Sequence, residues 1–145
     1  MAKMEASVLI NRPVEEVFEF LSDVGNWPQW NSTMSEAEQT SEDPVAVGAT
    51  ARGVSEFLGQ RIEWTSEVTE YEPNRKVKLR IISGPMLMEQ SLTFEPVEGA
   101  TRLTMAGEGE FGGLFKLAQP VVNRSMKKQS EANLANLKDI LEAEA

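Results

Sequence analysis

The chain has 145 residues, 41% of them apolar and 26% charged, the length and balance of one globular unit with one core rather than of a disordered chain. Its 14 Lys and Arg stand against 23 Asp and Glu, a net charge of −9, which argues against nucleic acid or an anionic lipid surface as partner, since both call for cationic side chains. There is no cysteine and no histidine, so disulfides, thiolate nucleophiles, and the commonest general base and metal ligand are excluded, and neither a metal nor another cofactor is expected.

Residues Lys3 to Ile10 alternate, with Met4, Ala6, Val8 and Ile10 on one side, and predict a half-buried strand. Asn11-Arg12-Pro13 breaks that period. Pro13 suits the first helical position, Glu15 and Glu16 suit the positive end of a helix dipole, and Val14, Val17, Phe18 and Leu21 fall on one face. This helix is expected to end near Ser22-Asp23. Trp27-Pro28-Gln29-Trp30 fits a second short helix or tight turn with both indoles on one side. A solvated strand is expected near Met34 to Thr40, followed by a turn at Glu42-Asp43-Pro44.

From Gly48 the chain reads as successive strands over Ala49–Phe57, Arg61–Glu72, Lys76–Ser83, Met86–Glu95 and Thr101–Glu108. The short turns between them, at Leu58-Gly59-Gln60, Pro73-Asn74-Arg75, Gly84-Pro85 and Pro96 to Gly99, predict an antiparallel meander. Alternation selects an inward face of Ile62, Trp64, Ser66 and Val68; Val77, Leu79 and Ile81; Met86, Met88, Gln90, Leu92 and Phe94; Leu103 and Met105. Tyr71 lies at a strand end, out of phase with Trp64.

After a glycine-rich stretch the pattern turns helical from Leu114 to about Glu142, with Leu134, Leu137, Ile140 and Leu141 as the buried stripe. Pro120 is expected to kink that helix or mark a restart. A helix of this length needs its apolar side laid on the sheet. The predicted fold class is therefore α+β: a curved antiparallel sheet of about six or seven strands around a long C-terminal helix, with two short helices after the first strand. Residues 1–145 read as one domain. The opening Met1 to Glu5 has no apolar run of a signal peptide, and no stretch nears the ~20 apolar residues of a membrane span, so a cytoplasmic setting without stable membrane insertion is expected.

Two segments carry a family resemblance. One is Pro13-Val14-Glu15-Glu16-Val17-Phe18-Glu19-Phe20-Leu21-Ser22-Asp23 with Trp27-Pro28-Gln29-Trp30-Asn31. The other is Gly112-Gly113-Leu114-Phe115 leading into Lys128-Gln129-Ser130-Glu131-Ala132-Asn133-Leu134-Ala135-Asn136-Leu137-Lys138. The chain resembles the polyketide cyclase/dehydrase and lipid-transport superfamily, bacterial relatives of START domains and of the birch-pollen-allergen fold. The resemblance covers nearly the whole chain and implies a helix-grip fold with a ligand cavity between sheet and helix. It is poor for function, because binders, cyclases, hydrolases and chaperone cofactors share the scaffold.

The candidate ligand-binding residues are Trp64, Ser66, Ile81, Met86, Met88, Gln90, Met105, Phe111, Phe115 and Trp30. The methionines suit a pocket of adaptable shape, and equally suit plain core filling. Phe111 and Phe115 flank the glycine-rich turn as a gate or a plug. Trp27 and Trp30 either lock the helical lid or touch the ligand. Ser66 and Gln90, the polar residues of the inward faces, would orient a ligand or be met by a cavity water or a neighbouring backbone group. Arg52, Arg61 and Glu63 read as solvent-facing, and no constellation of side chains demands catalysis. The favoured function is binding or carrying a small hydrophobic molecule, lipid or polyketide-like. The alternatives are a metal-free polyketide cyclase/dehydratase and a chaperone-cofactor-type interaction module.

Overall fold

Seven strands form one antiparallel sheet in the computed structural model, which describes residues 2–42, 46–57, 59–83, 86–110 and 119–143. The strands are β1 Ala2–Ile10, β2 Met34–Gln39, β3 Thr50–Phe57, β4 Gln60–Glu72, β5 Lys76–Ser83, β6 Met86–Val97 and β7 Ala100–Glu110. Their order across the sheet is β1-β7-β6-β5-β4-β3-β2. The meander runs from β2 to β7, and β1 closes on β7, with Ala6 opposite Met105 and Val8 opposite Leu103. The sheet is curled into a half-barrel.

Two helices follow β1. Helix α1, Val14–Ser22, buries Val17, Phe18 and Leu21. Pro13 is its cap, in extended conformation, and not its first helical residue. Its carbonyl accepts from the amides of Glu16 and Val17, so the ring still sits where no donor is needed. A 3-10 turn at Val24–Asn26 then leads into α2, Trp27–Trp30. The C-terminal helix α3 is described over Gln119–Ala143. Pro120, expected to kink the helix or mark a restart, is the second residue of its described part. The stretch predicted as helix from Leu114 to Ala118 lies outside the described residues, as do Asp43-Pro44, Leu58 and Gly84-Pro85 of the predicted turns.

Three features of the strands have local causes. The ladder between β4 and β5 shifts register between Val68 and Glu70, so Thr69 is an extra residue. That bulge reverses the phase, and Tyr71 comes opposite Val77 on the core side, edge-to-face with Phe18 at 5.5 Å. Strand β6 runs past Pro96, which the sequence marks as a turn. Pairing with β5 has ended at Thr93, so no ladder bond is asked of the proline nitrogen from that side. The β6–β7 turn is then two residues, Glu98 and Gly99, with φ of 50° and 84°, the left-handed pair that a tight hairpin requires.

The main core joins Ala6 and Ile10 of β1, Val17, Phe18 and Leu21 of α1, the inward residues of β4 to β7, and Leu134, Leu137 and Leu141 of α3. Leu137 and Leu103 are fully buried. A second apolar group, Val24, Ala51 and Trp64, lies nearer β2 and β3.

Candidate functional site

Helix α3 has two halves. Leu134, Leu137 and Leu141 seat its second half on the core. In the first half, Met126, Ser130 and Asn133 occupy the same helical phase, and Gln129 flanks them. These side chains are smaller or more polar than leucine, or more flexible, and a cavity of about 210 Å³ lies beneath them. Trp64, Ile62, Ile81, Met88, Met105 and Met4 supply apolar walls from the sheet, and Trp27, Trp30 and Met34 close one side.

Trp64 is held by its neighbours on β3. It lies directly opposite Gly53, and a Cβ at that glycine would come within 2.2 Å of the indole and 2.4 Å of the Glu36 carbonyl. Only glycine lets the ring lie across the strand. The indole Nε1 donates to Ser55 Oγ at 3.1 Å, and the ring stacks on Trp27, whose own Nε1 donates to the Leu21 carbonyl at 2.9 Å.

The polar part of the lining is concentrated where α3 meets the segment after α2. Gln129 Nε2 donates to Ser32 Oγ at 2.7 Å and to Asn133 Oδ1 at 2.8 Å. The Ser32 amide reaches the same Asn133 oxygen at 3.3 Å. Asn31 accepts from the amide and hydroxyl of Thr33, and Asn136 donates to the Trp30 carbonyl. Trp30 itself is buried, and its Nε1 has no acceptor among the described residues.

The predicted residues are distributed as follows. Trp30, Trp64, Ile81, Met88, Gln90 and Met105 all line this cavity. Ser66 does not. It is buried and faces a separate void of about 30 Å³ with Ala51, Val68 and Thr50, space on the scale of a single water. Ser66 and Gln90, expected on the wall of one pocket, are therefore on the walls of different voids. The side chain of Met86 and all of Phe111 and Phe115 lie outside the described residues. Arg52 is exposed and bound to Glu38 at 2.6 Å on the outer face, and that hydrogen bond and charge hold its guanidinium above the ordinary pKa. Arg61 pairs with Glu63, also exposed. Asn31, Thr33, Ser55, Gln129, Ser130 and Asn133 went unpredicted. The readable signal was in α3, where Met126, Ser130 and Asn133 continue the phase of Leu134, Leu137 and Leu141.

No ionisable side chain lines the cavity among the described residues. The same residues contain no cluster of acidic side chains able to hold a metal and no helix long and apolar enough to cross a membrane.

Residues 1–142 match the family described as polyketide cyclase/dehydrase and lipid transport. The chain belongs to that family. Proteins with solved structures share its architecture at low sequence identity. A protein from Thermus thermophilus superposes with a TM-score of 0.85 at 20% identity, covering 99% of each chain. A START superfamily protein from Mycobacterium smegmatis gives 0.83 at 17% identity, covering all of both chains. The Zhui aromatase/cyclase from Streptomyces sp. R1128 gives 0.78 at 18%, covering 97% of this chain and 93% of that one. The helix-grip architecture of the polyketide cyclase/dehydrase and lipid-transport family is thus the one found here, with the cavity under the first half of the long helix.

Proposed function

We propose that this protein binds and carries a small hydrophobic molecule in the cavity beneath the first half of α3, in the cytoplasm. The carrying observation is the composition of the walls: the stacked Trp27 and Trp64, with Ile62, Ile81, Met88 and Met105, enclose about 210 Å³ beside a short polar strip. Apolar walls with a few placed polar groups are the general form of a small-molecule site. Methionines at Met88, Met105 and Met126 let the walls adapt to a guest. Trp64, Ile81, Met88, Gln90, Met105 and Trp30 are the proposed contacts.

A cyclase reading draws on the likeness to an aromatase/cyclase, but acid–base chemistry needs a proton donor or acceptor at the bound chain. The described lining offers only amides, hydroxyls and indoles. Carriage without chemistry uses all the features of the cavity and needs no further group.

Native mass spectrometry of the purified protein, with organic extraction and titration of a hydrophobic fluorophore, tests the reading. A retained apolar molecule or saturable enhancement of the fluorophore, lost on filling the cavity with Ile81→Trp, supports it. A protein that carries nothing and leaves the fluorophore dark is not a carrier.

A further inference from the structure

Resting on the carrier reading, we infer that the guest is uncharged and ends in a hydrogen-bond acceptor, such as a ketone, ester or amide carbonyl, which is received by Asn133 and Ser130. These two residues lie one turn apart on the same face of α3 and are 5% and 7% exposed, and both line the cavity. The Asn133 oxygen is already occupied by Gln129 and the Ser32 amide. That fixes the amide orientation and leaves its Nδ2 as a donor with no acceptor among the described residues. The Ser130 hydroxyl likewise makes no hydrogen bond to them. Both residues line the cavity, where a carbonyl on the guest meets both donors.

The same site is wrong for an anion. A buried carboxylate needs a cation, and none lines the cavity among the described residues. An open recess shares Met4 and Gln90 with the cavity. There Lys78 and Lys127 face Glu5, Glu89 and Glu108, so the recess is itself net negative. The whole chain, at −9, adds to the repulsion.

The test displaces a bound hydrophobic fluorophore from the full chain with 2-decanone and with decanoate, molecules of equal chain length, well above the ordinary carboxyl pKa of about 4.3. The ketone is expected to bind about tenfold tighter or more. Asn133→Asp keeps the oxygen that Gln129 and Ser32 use but removes the donor, and is expected to weaken the ketone about tenfold. Ser130→Ala is expected to weaken it severalfold at unchanged melting temperature, and decides the matter if Asn133→Asp does not fold. Decanoate binding as tightly as the ketone overturns the inference, as does ketone affinity that neither variant changes; fluorophore binding survives in both cases, so the carrier reading stands. Failure of the fluorophore and of both ligands to bind overturns the carrier reading and this inference with it.

Discussion

The indoles of Trp27 and Trp64 stack with their centroids 5.9 Å apart and their planes 29° from parallel. Trp27 comes from the short helix after α1 and Trp64 from the middle of β4, so lid and wall are one aromatic unit. The sequence leaves Trp27 between locking the lid and touching the ligand, and places Trp64 among the ligand contacts. The stack joins the two roles.

Trp27→Ala and Trp64→Ala are therefore each expected to lower both stability and fluorophore affinity. Trp64, being buried, carries the larger loss, about 3–5 kcal/mol. A double-mutant cycle by denaturant unfolding is expected to give a coupling of about 0.5–1.5 kcal/mol. Additive effects would show that the rings act independently.

Gly53→Ala places a methyl group against the Trp64 ring and the Glu36 carbonyl. The expected result is a destabilised protein with altered tryptophan fluorescence and weakened fluorophore binding. Adding Trp64→Leu relieves the ring contact but not the backbone one, so rescue is expected to be partial. A Gly53→Ala protein as stable as the parent would disprove the close approach.

The halves of α3 separate stability from binding. Leu137→Ala, at a fully buried position, is expected to cost about 2–5 kcal/mol and to leave fluorophore affinity of the folded protein nearly unchanged. Met126→Lys, at the cavity, is expected to do the reverse. Equal effects on both properties would contradict this division.

The far end of α3 is fastened by Glu142. Its carboxylate accepts from the Asn11 amide at 3.0 Å and from Lys138 Nζ at 2.5 Å, and Lys138 also donates to the Leu9 carbonyl. The Asn11 bond first, then Lys138, holds the Glu142 carboxyl below its ordinary pKa of 4.5. A pKa depressed by folding stabilises above the unfolded value and is lost as pH falls through the folded one. The melting-temperature gap between parent and Glu142→Gln is expected to be constant near neutrality and to close below about pH 4.5. A gap that persists in acid would rule out the carboxylate charge as its source.

What the sequence determined by itself was the order and kind of elements. Period-two runs broken by Pro73-Asn74 and Glu98-Gly99 specify hairpins, and Leu134, Leu137 and Leu141 specify a helix with one apolar face, because these signals are local. Ile81, Met88, Gln90 and Met105 could be placed on the inward face for the same reason. Tertiary structure alone decided which inward residues surround the cavity. Ser66 and Gln90 point to the same side of the sheet, yet two residues of a curled sheet can face different voids, here with Trp27, Leu79 and Leu92 on the walls of both. The bulge at Thr69, the seat of Trp64 on Gly53 and the polar strip at Asn133 arise between separate segments of the chain. Contacts of that kind follow from how elements pack, and no periodicity within one element records them.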